Sequence, residues 1–321
     1  MRGFKRLHRN LGIESPKQGS TSPVIFAFVA GTLVAIAKTV AAVFTGSASM
    51  LAEAVHSWVD TATMCFLVAA YFTARRPADA QHSLGYGRES YVWSLFASIA
   101  MFVVGAEVGV WHGITQLSAP DTTTDYLFGY IVIAVSFVLE GASFKQALLF
   151  VKKRAAERDQ GIVEHVFQTS DAQLRAVFTE DFIAPIALAI TGLGMALHEF
   201  TGKVLYDAVG SILIGVLMGA AGLILINLNR QFLAGMPLTA EQRAVVLGLL
   251  KKAPEIDRVT FLFAEFIGPD RLLLAARVSI AGDYTQTQLA YVLRRLEQQI
   301  EAHKNVGRAM LTLATPEDED L

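Results

Sequence analysis

One cysteine in 321 residues, Cys65, excludes an intrachain disulfide and leaves the redox compartment open. It is expected to be a small packing residue. Charge is also scarce. Only 17% of residues are charged, where a soluble domain carries about a quarter. With 53% hydrophobic residues and a mean hydropathy of +0.43, the chain reads as a polytopic membrane protein. Catalytic signatures are missing too. There is no Gly-x-x-x-x-Gly-Lys-Ser/Thr, no His-Glu-x-x-His and no nucleophile elbow, so ATP-driven chemistry and zincin-type hydrolysis are not expected. A cleavable leader is not expected either. The beginning is polar and basic (Arg2, Lys5, Arg6, Arg9, Lys17), as in some transit peptides, and the apolar run from Pro23 is long enough to span a bilayer.

What is present is organised around residues 47–71. This stretch is apolar enough to cross a bilayer, yet it carries Glu53, His56 and Asp60. On an α-helix these lie at i, i+3 and i+7 and form one stripe. An ionisable group at membrane depth costs about 2.5–3.5 kcal/mol on insertion scales, so such a stripe is expected to face a polar interior. Two readings follow from the residues alone. The three groups hydrogen-bond neighbouring helices, or imidazole and carboxylate at helical spacing form part of a divalent-metal site.

Apolar runs near the roughly 20 residues that a bilayer requires occur at 24–44, 50–71, 91–117, 126–151, 176–197 and 207–228. Six spans put both termini on one side. Basic residues cluster before the first span, between spans two and three (Arg75, Arg76, Arg88) and between spans four and five (Lys152, Lys153, Arg154, Arg158, Arg175). The other connections hold only Lys203, so the basic side is expected to be cytoplasmic. Within the spans, Lys38 is expected to snorkel or to pair with an acid. Glu107 and Glu140 are expected to be buried and protonated, or paired. Asp207 is expected to act as a cap or surface residue.

Composition changes after Asn229. An amphipathic helix is expected at 239–252 with Thr239 as N-cap, alternating strands at 258–267 and 271–281, a helix at 285–303 and a short strand at 310–314. The order α-β-β-α-β suggests a small α+β domain. The expected division is a tail at 1–22, a membrane domain at 23–232, an α+β domain at 233–316 and a frayed acidic tail at 317–321.

Three features together resemble the cation diffusion facilitator family: LAEAVHSWVD at 51–60, HSLGYGRES at 82–90, and six spans followed by an α+β tail. The resemblance covers nearly the whole chain. It implies a polytopic α-helical membrane protein of six transmembrane helices with a cytoplasmic, ferredoxin-like α+β dimerisation domain. It also implies a secondary transporter that exports divalent metal, coupled to proton antiport. The metal is then substrate, Zn²⁺ first, and no cofactor is implied. Protons, membrane lipid and a second copy of the chain are the partners, and nucleic acid is not. The family's transport site takes two residues from span two, matched here by His56 and Asp60, and two from span five. Asp181 matches one of the latter, whereas the other falls at Val177, which cannot ligate. Glu180 stands beside Asp181 instead, an arrangement similar to a divergent branch that includes mitochondrial zinc transporters of animals. Adjacent helical residues point about 100° apart, so Glu180 and Asp181 reach one ion only if the helix is rotated or distorted. Glu180, Glu53, Glu140 or a water are the candidates for the fourth ligand.

A second family site, in the loop after span two, uses a His where this chain has Tyr86, leaving Asp79 and His82. The tail holds a single His303, so no strong regulatory metal is expected there. The alternatives are an exporter of Mn²⁺, Fe²⁺, Co²⁺ or Ni²⁺, and a membrane-embedded metallohydrolase.

Overall fold

The computed structural model describes residues 22–118 and 126–321. The expected N-terminal tail, up to residue 21, and residues 119–125 of the expected connection between spans three and four lie outside these residues. The described chain forms two compact units, one from residues 22–71 and 92–230, the other from Phe72–Tyr91 and Gln231–Leu321.

The first unit is helical. Its elements are α1 (Ser22–Thr45), α2 (Ala48–Thr73), α3 (Glu89–Gln116), α4 (Leu127–Glu157), α5 (Ile162–Gln168), α6 (Ala172–Thr201) and α7 (Leu205–Leu233). Five helices, α1, α3, α4, α6 and α7, are long and apolar enough to cross a membrane, as a multi-pass membrane protein requires. α2 has 26 residues, which is long enough. Its polar stripe keeps it out of the apolar set.

The elements differ from expectation where charge was read as loop. α4 runs past 151 through Lys152–Glu157, because Lys, Arg and Ala are strong helix formers and cations suit a helix C-terminus. The charged stretch after it folds into α5 and leads to Asp171, whose carboxylate accepts from the backbone N–H of Gln173 and Leu174 and so starts α6 at Ala172.

Two devices fix the helices. Gly109 of α3 meets Gly215 of α7 so closely that a Cβ on Gly109 would lie 2.7 Å from the Gly215 Cα, the close approach that small residues permit in membranes. This seam faces Gly109 and Gly113 inward and turns Glu107 out. Glu107 is therefore exposed, contrary to the expectation of burial. Arg175, fully buried, donates to the Thr169 carbonyl and to Asn229 Oδ1, and Asn229 Nδ2 reaches Ser94 and Ser98, tying α6, α7 and α3 together. Cys65 is exposed rather than packed, since Thr61 and Thr63 hold the inward positions of α2.

The second unit holds α8 (Ala240–Leu250), β1 (Ile256–Gly268), β2 (Arg271–Ile280), α9 (Gln286–Glu301) and β3 (Val306–Leu313). The sheet order is β1-β2-β3, with β1–β2 antiparallel and β2–β3 parallel. Both helices open on capping boxes, Thr239 with Gln242 and Thr285 with Gln288. Leu250, Val259, Leu262, Leu274, Val278, Leu296 and Leu311 form the core between helices and sheet. β3 starts four residues before the expected 310, because Val306–Ala309 pair with Leu272–Leu274.

The loop 72–91 belongs to this unit rather than to the membrane unit. Arg88 bonds Glu265 of β1 at 2.6 Å. Gly87 is needed for close approach, since a Cβ there would lie 2.5 Å from the Ile267 carbonyl oxygen. The acidic end is not frayed. Leu321 N–H donates to Val259, Asp318 pairs with Arg277 and Asp320 with Arg258, so charge complementarity lays the end against β1 and β2.

Candidate metal centre

α2 is anchored at its first turn. The Asp207 carboxylate, fully buried at the start of α7, accepts from the N–H groups of Ala48 and Ser49 and from the hydroxyls of Ser47 and Ser49. A negative charge at a helix N-terminus offsets the orphan N–H groups and the macrodipole. Asp207 is thus a cap, as expected, but of its neighbour helix.

From this anchor the polar stripe runs down the inward face of α2. Glu53 and His56 are buried. The Glu53 Oε2 lies 3.7 Å from His56 Nδ1, and Asp60 Oδ1 lies 3.4 Å from His56 Nε2. Lys38 of α1 donates to Glu53 Oε1 at 2.8 Å and to Glu140 Oε1 of α4 at 2.5 Å. The expected pairing of Lys38 and Glu140 is therefore present, and Lys38 does not snorkel.

α6 supplies the facing acids. Glu180 lies within electrostatic reach of Asp60 and His56 of α2. Asp181 accepts a hydrogen bond from Ser143 of α4 at 3.0 Å and also feels the charge of Asp60. Val177 is 41% exposed and turns away from these groups. Glu180 is thus the acid facing α2, while Asp181 faces α4.

Pro185, inside α6, lacks the N–H that would bond the carbonyl four residues earlier, that of Asp181. The helix is therefore open to distortion where the two acids sit. The proline was readable in the sequence as a helix interruption; its spacing from Asp181 is the signal that sequence reasoning missed.

Among the described residues, no three His, Cys, Asp or Glu side chains stand close enough to enclose a metal ion. His56 and Asp60 converge on one helix, with Glu180 and Asp181 on the other. The polar atoms are unspent: both His56 ring nitrogens and Asp60 Oδ1 are buried without a hydrogen-bond partner. Buried polar atoms are normally satisfied, so such a concentration calls for a ligand or water.

The loop after α2 is arranged differently. Tyr86 donates to Asp79 at 2.7 Å and its ring lies against His82, with centroids 3.9 Å apart. The Tyr86 hydroxyl, followed by backbone donors, holds the Asp79 carboxyl below its usual range, and the same bond raises the Tyr86 phenol.

Comparison with known proteins agrees with this architecture. Residues 24–233 match the cation efflux transmembrane domain. The chain belongs to the cation efflux family. It is similar to metal tolerance protein C4 of Arabidopsis thaliana, 32% identical over 73% of this chain and 51% of that protein. Similarity to the mitochondrial proton-coupled zinc antiporter SLC30A9 of Xenopus laevis is 31% over 83% of this chain and 47% of that one. Zinc transporter ZitB of Escherichia coli is 22% identical over 95% of this chain and 91% of its own length. The chain thus spans about half the length of the first two. Cation efflux family members are transporters rather than enzymes, which removes the metallohydrolase alternative.

Proposed function

We propose that this membrane protein is a secondary transporter that moves divalent cations, Zn²⁺ first, out of the cytoplasm in exchange for protons. His56 and Asp60 of α2 with Glu180 and Asp181 of α6 are the proposed ligands. The observation that carries this reading is the buried imidazole of His56, 3.4 Å from an inward Asp60 oxygen, with its nitrogens and that oxygen unpartnered, facing the Glu180–Asp181 helix. A nitrogen with carboxylates suits zinc and also Mn²⁺, Fe²⁺, Co²⁺ and Ni²⁺. The zinc assignment rests on His56 and on relatives named for zinc.

The chemistry follows from competition. A metal and a proton compete for the same imidazole and carboxylate lone pairs. Protons arriving from the outer side displace the metal there, and loss of those protons on the inner side restores affinity. Ligands on two helices permit this exchange, because a small relative tilt opens or closes the set. α6 is continuous through Pro185, and a distortion at this proline on metal binding would let Glu180 and Asp181 turn toward one ion.

The proposed topology counts α2 as a sixth span, with both termini on the cytoplasmic side of a plasma membrane. The Lys and Arg bias supports it. A homodimer is proposed through the ferredoxin-like domain. Its sheet exposes Phe261, Phe263 and Met310 on the face away from α8 and α9, with Phe263, Ala275 and Met310 in one row across the strands. Anomalous scattering from zinc-soaked crystals tests the site. Density between α2 and α6 supports it, and metal found only elsewhere refutes it.

A further inference from the structure

The buried cation Lys38 is used by neither the ligand set nor the fold's apolar packing. It is 1% exposed, and its two carboxylate partners come from different helices. Its ammonium only donates, so it demands an oxygen from each partner. At Glu53 that oxygen is Oε1, leaving Oε2 toward His56 Nδ1 at 3.7 Å, just outside hydrogen-bonding range. The Oε2 and the imidazole nitrogens have no other hydrogen-bond partner. On the far side of the ring, Nε2 points to Asp60.

We propose that Lys38 and Glu53 are positioning residues that set which nitrogen of His56 is presented to the metal. Lys38 fixes the Glu53 carboxylate by one oxygen. The other oxygen accepts the Nδ1 proton, which leaves the Nε2 lone pair for the ion shared with Asp60. Metal-bound imidazoles commonly donate their second N–H to a carboxylate in this way, and loss of that partner costs roughly 10–100-fold in affinity. Glu140 serves as the second anchor of Lys38 and does not touch the imidazole. The proposal rests on His56 being a ligand.

Glu53→Gln gives the sharp test because it keeps shape and removes one property. The Lys38 ammonium claims the amide oxygen, so the amide NH₂ faces Nδ1. That donor makes Nδ1 the acceptor and places the proton on Nε2, the nitrogen meant for the metal. In Lys38→Met/Glu53→Gln the amide is free to turn its oxygen back toward Nδ1.

The full-length chain in lipid nanodiscs is titrated with zinc by calorimetry. Its ¹⁵N-histidine spectra identify His56 by the signal lost in His56→Asn. In the wild type, zinc is expected on Nε2 and the proton on Nδ1. Glu53→Gln is expected to bind zinc at least tenfold more weakly and to lose the Nδ1 proton signal, and the double variant to recover part of both. Wild-type affinity with an intact Nδ1 proton in Glu53→Gln would overturn the positioning role while leaving His56 a ligand. Equal affinity in the single and double variants would remove Lys38 from the assignment. A wild type whose His56 signals do not respond to zinc would overturn the ligand set and this proposal together.

Discussion

Pro185 stands one helical turn after Asp181 and deprives its carbonyl of the donor that an α-helix would supply. This places a weak point beside the two adjacent acids of α6. Pro185→Ala restores the N–H and closes that bond. A proline in a helix interior costs up to about 3 kcal/mol relative to alanine, so the variant is expected to melt higher. Its metal flux is expected to fall several-fold, because a straight α6 holds Glu180 and Asp181 about 100° apart. Higher flux together with higher stability would show that distortion here is not used.

Ligand identity is read from two substitutions. His56→Asp is expected to keep some flux and to shift preference toward Mn²⁺, since carboxylate suits harder cations than imidazole does. Glu180→Gln is expected to match Asp181→Ala in losing transport, because Glu180 faces Asp60 and His56. Survival of Glu180→Gln within a few-fold of wild type would take it out of the ligand set. Metal uptake by everted vesicles measures both.

The sequence showed most of this in outline, because periodicity and spacing are local properties. The α2 stripe, the capping residue Thr239, the helix that follows Thr285, and two of the three strands lie close to where pattern places them. What it could not show depends on neighbours distant in the chain. Glu53 and Glu140 share Lys38 across separations that no periodicity encodes. Asp207 was readable as a cap, but the helix it caps begins 159 positions earlier. Glu107 was misread because an acid in an apolar run says nothing about which side of the helix faces outward. The charged ends were misread because charge was equated with loop: Lys152–Glu157 continue α4, and the final acids find Arg258 and Arg277.

His165 of α5 gives a pH prediction. Burial, then the charges of Arg158 and Arg154, lower its pKa from 6.5 to about 4. The folded chain therefore keeps it neutral where the unfolded chain takes up a proton. Stability is fully present above pH 6.5 and falls as pH drops toward 4. His165→Gln carries no such proton. Between pH 7 and pH 5 its melting temperature in detergent is expected to fall less than the wild type's. Equal slopes would place His165 in a solvated setting.

Assembly is tested on the exposed sheet face. Phe263→Glu and Met310→Glu put charge on one row of that face without touching the core beneath it. Light scattering in detergent is expected to show a dimer for the wild type and a shift toward monomer for the pair. A monomeric wild type, or an unchanged dimer in the variant, would move the interface elsewhere.

The central claim is that protons and a divalent cation exchange through His56, Asp60, Glu180 and Asp181. Its most direct test is zinc flux in proteoliposomes of the full-length chain, with and without a pH gradient, beside Asp60→Ala. The account predicts flux driven by the gradient, release of protons on zinc binding, and loss of both in Asp60→Ala with an unchanged melting profile. Full activity in Asp60→Ala, or flux indifferent to the proton gradient, would contradict it.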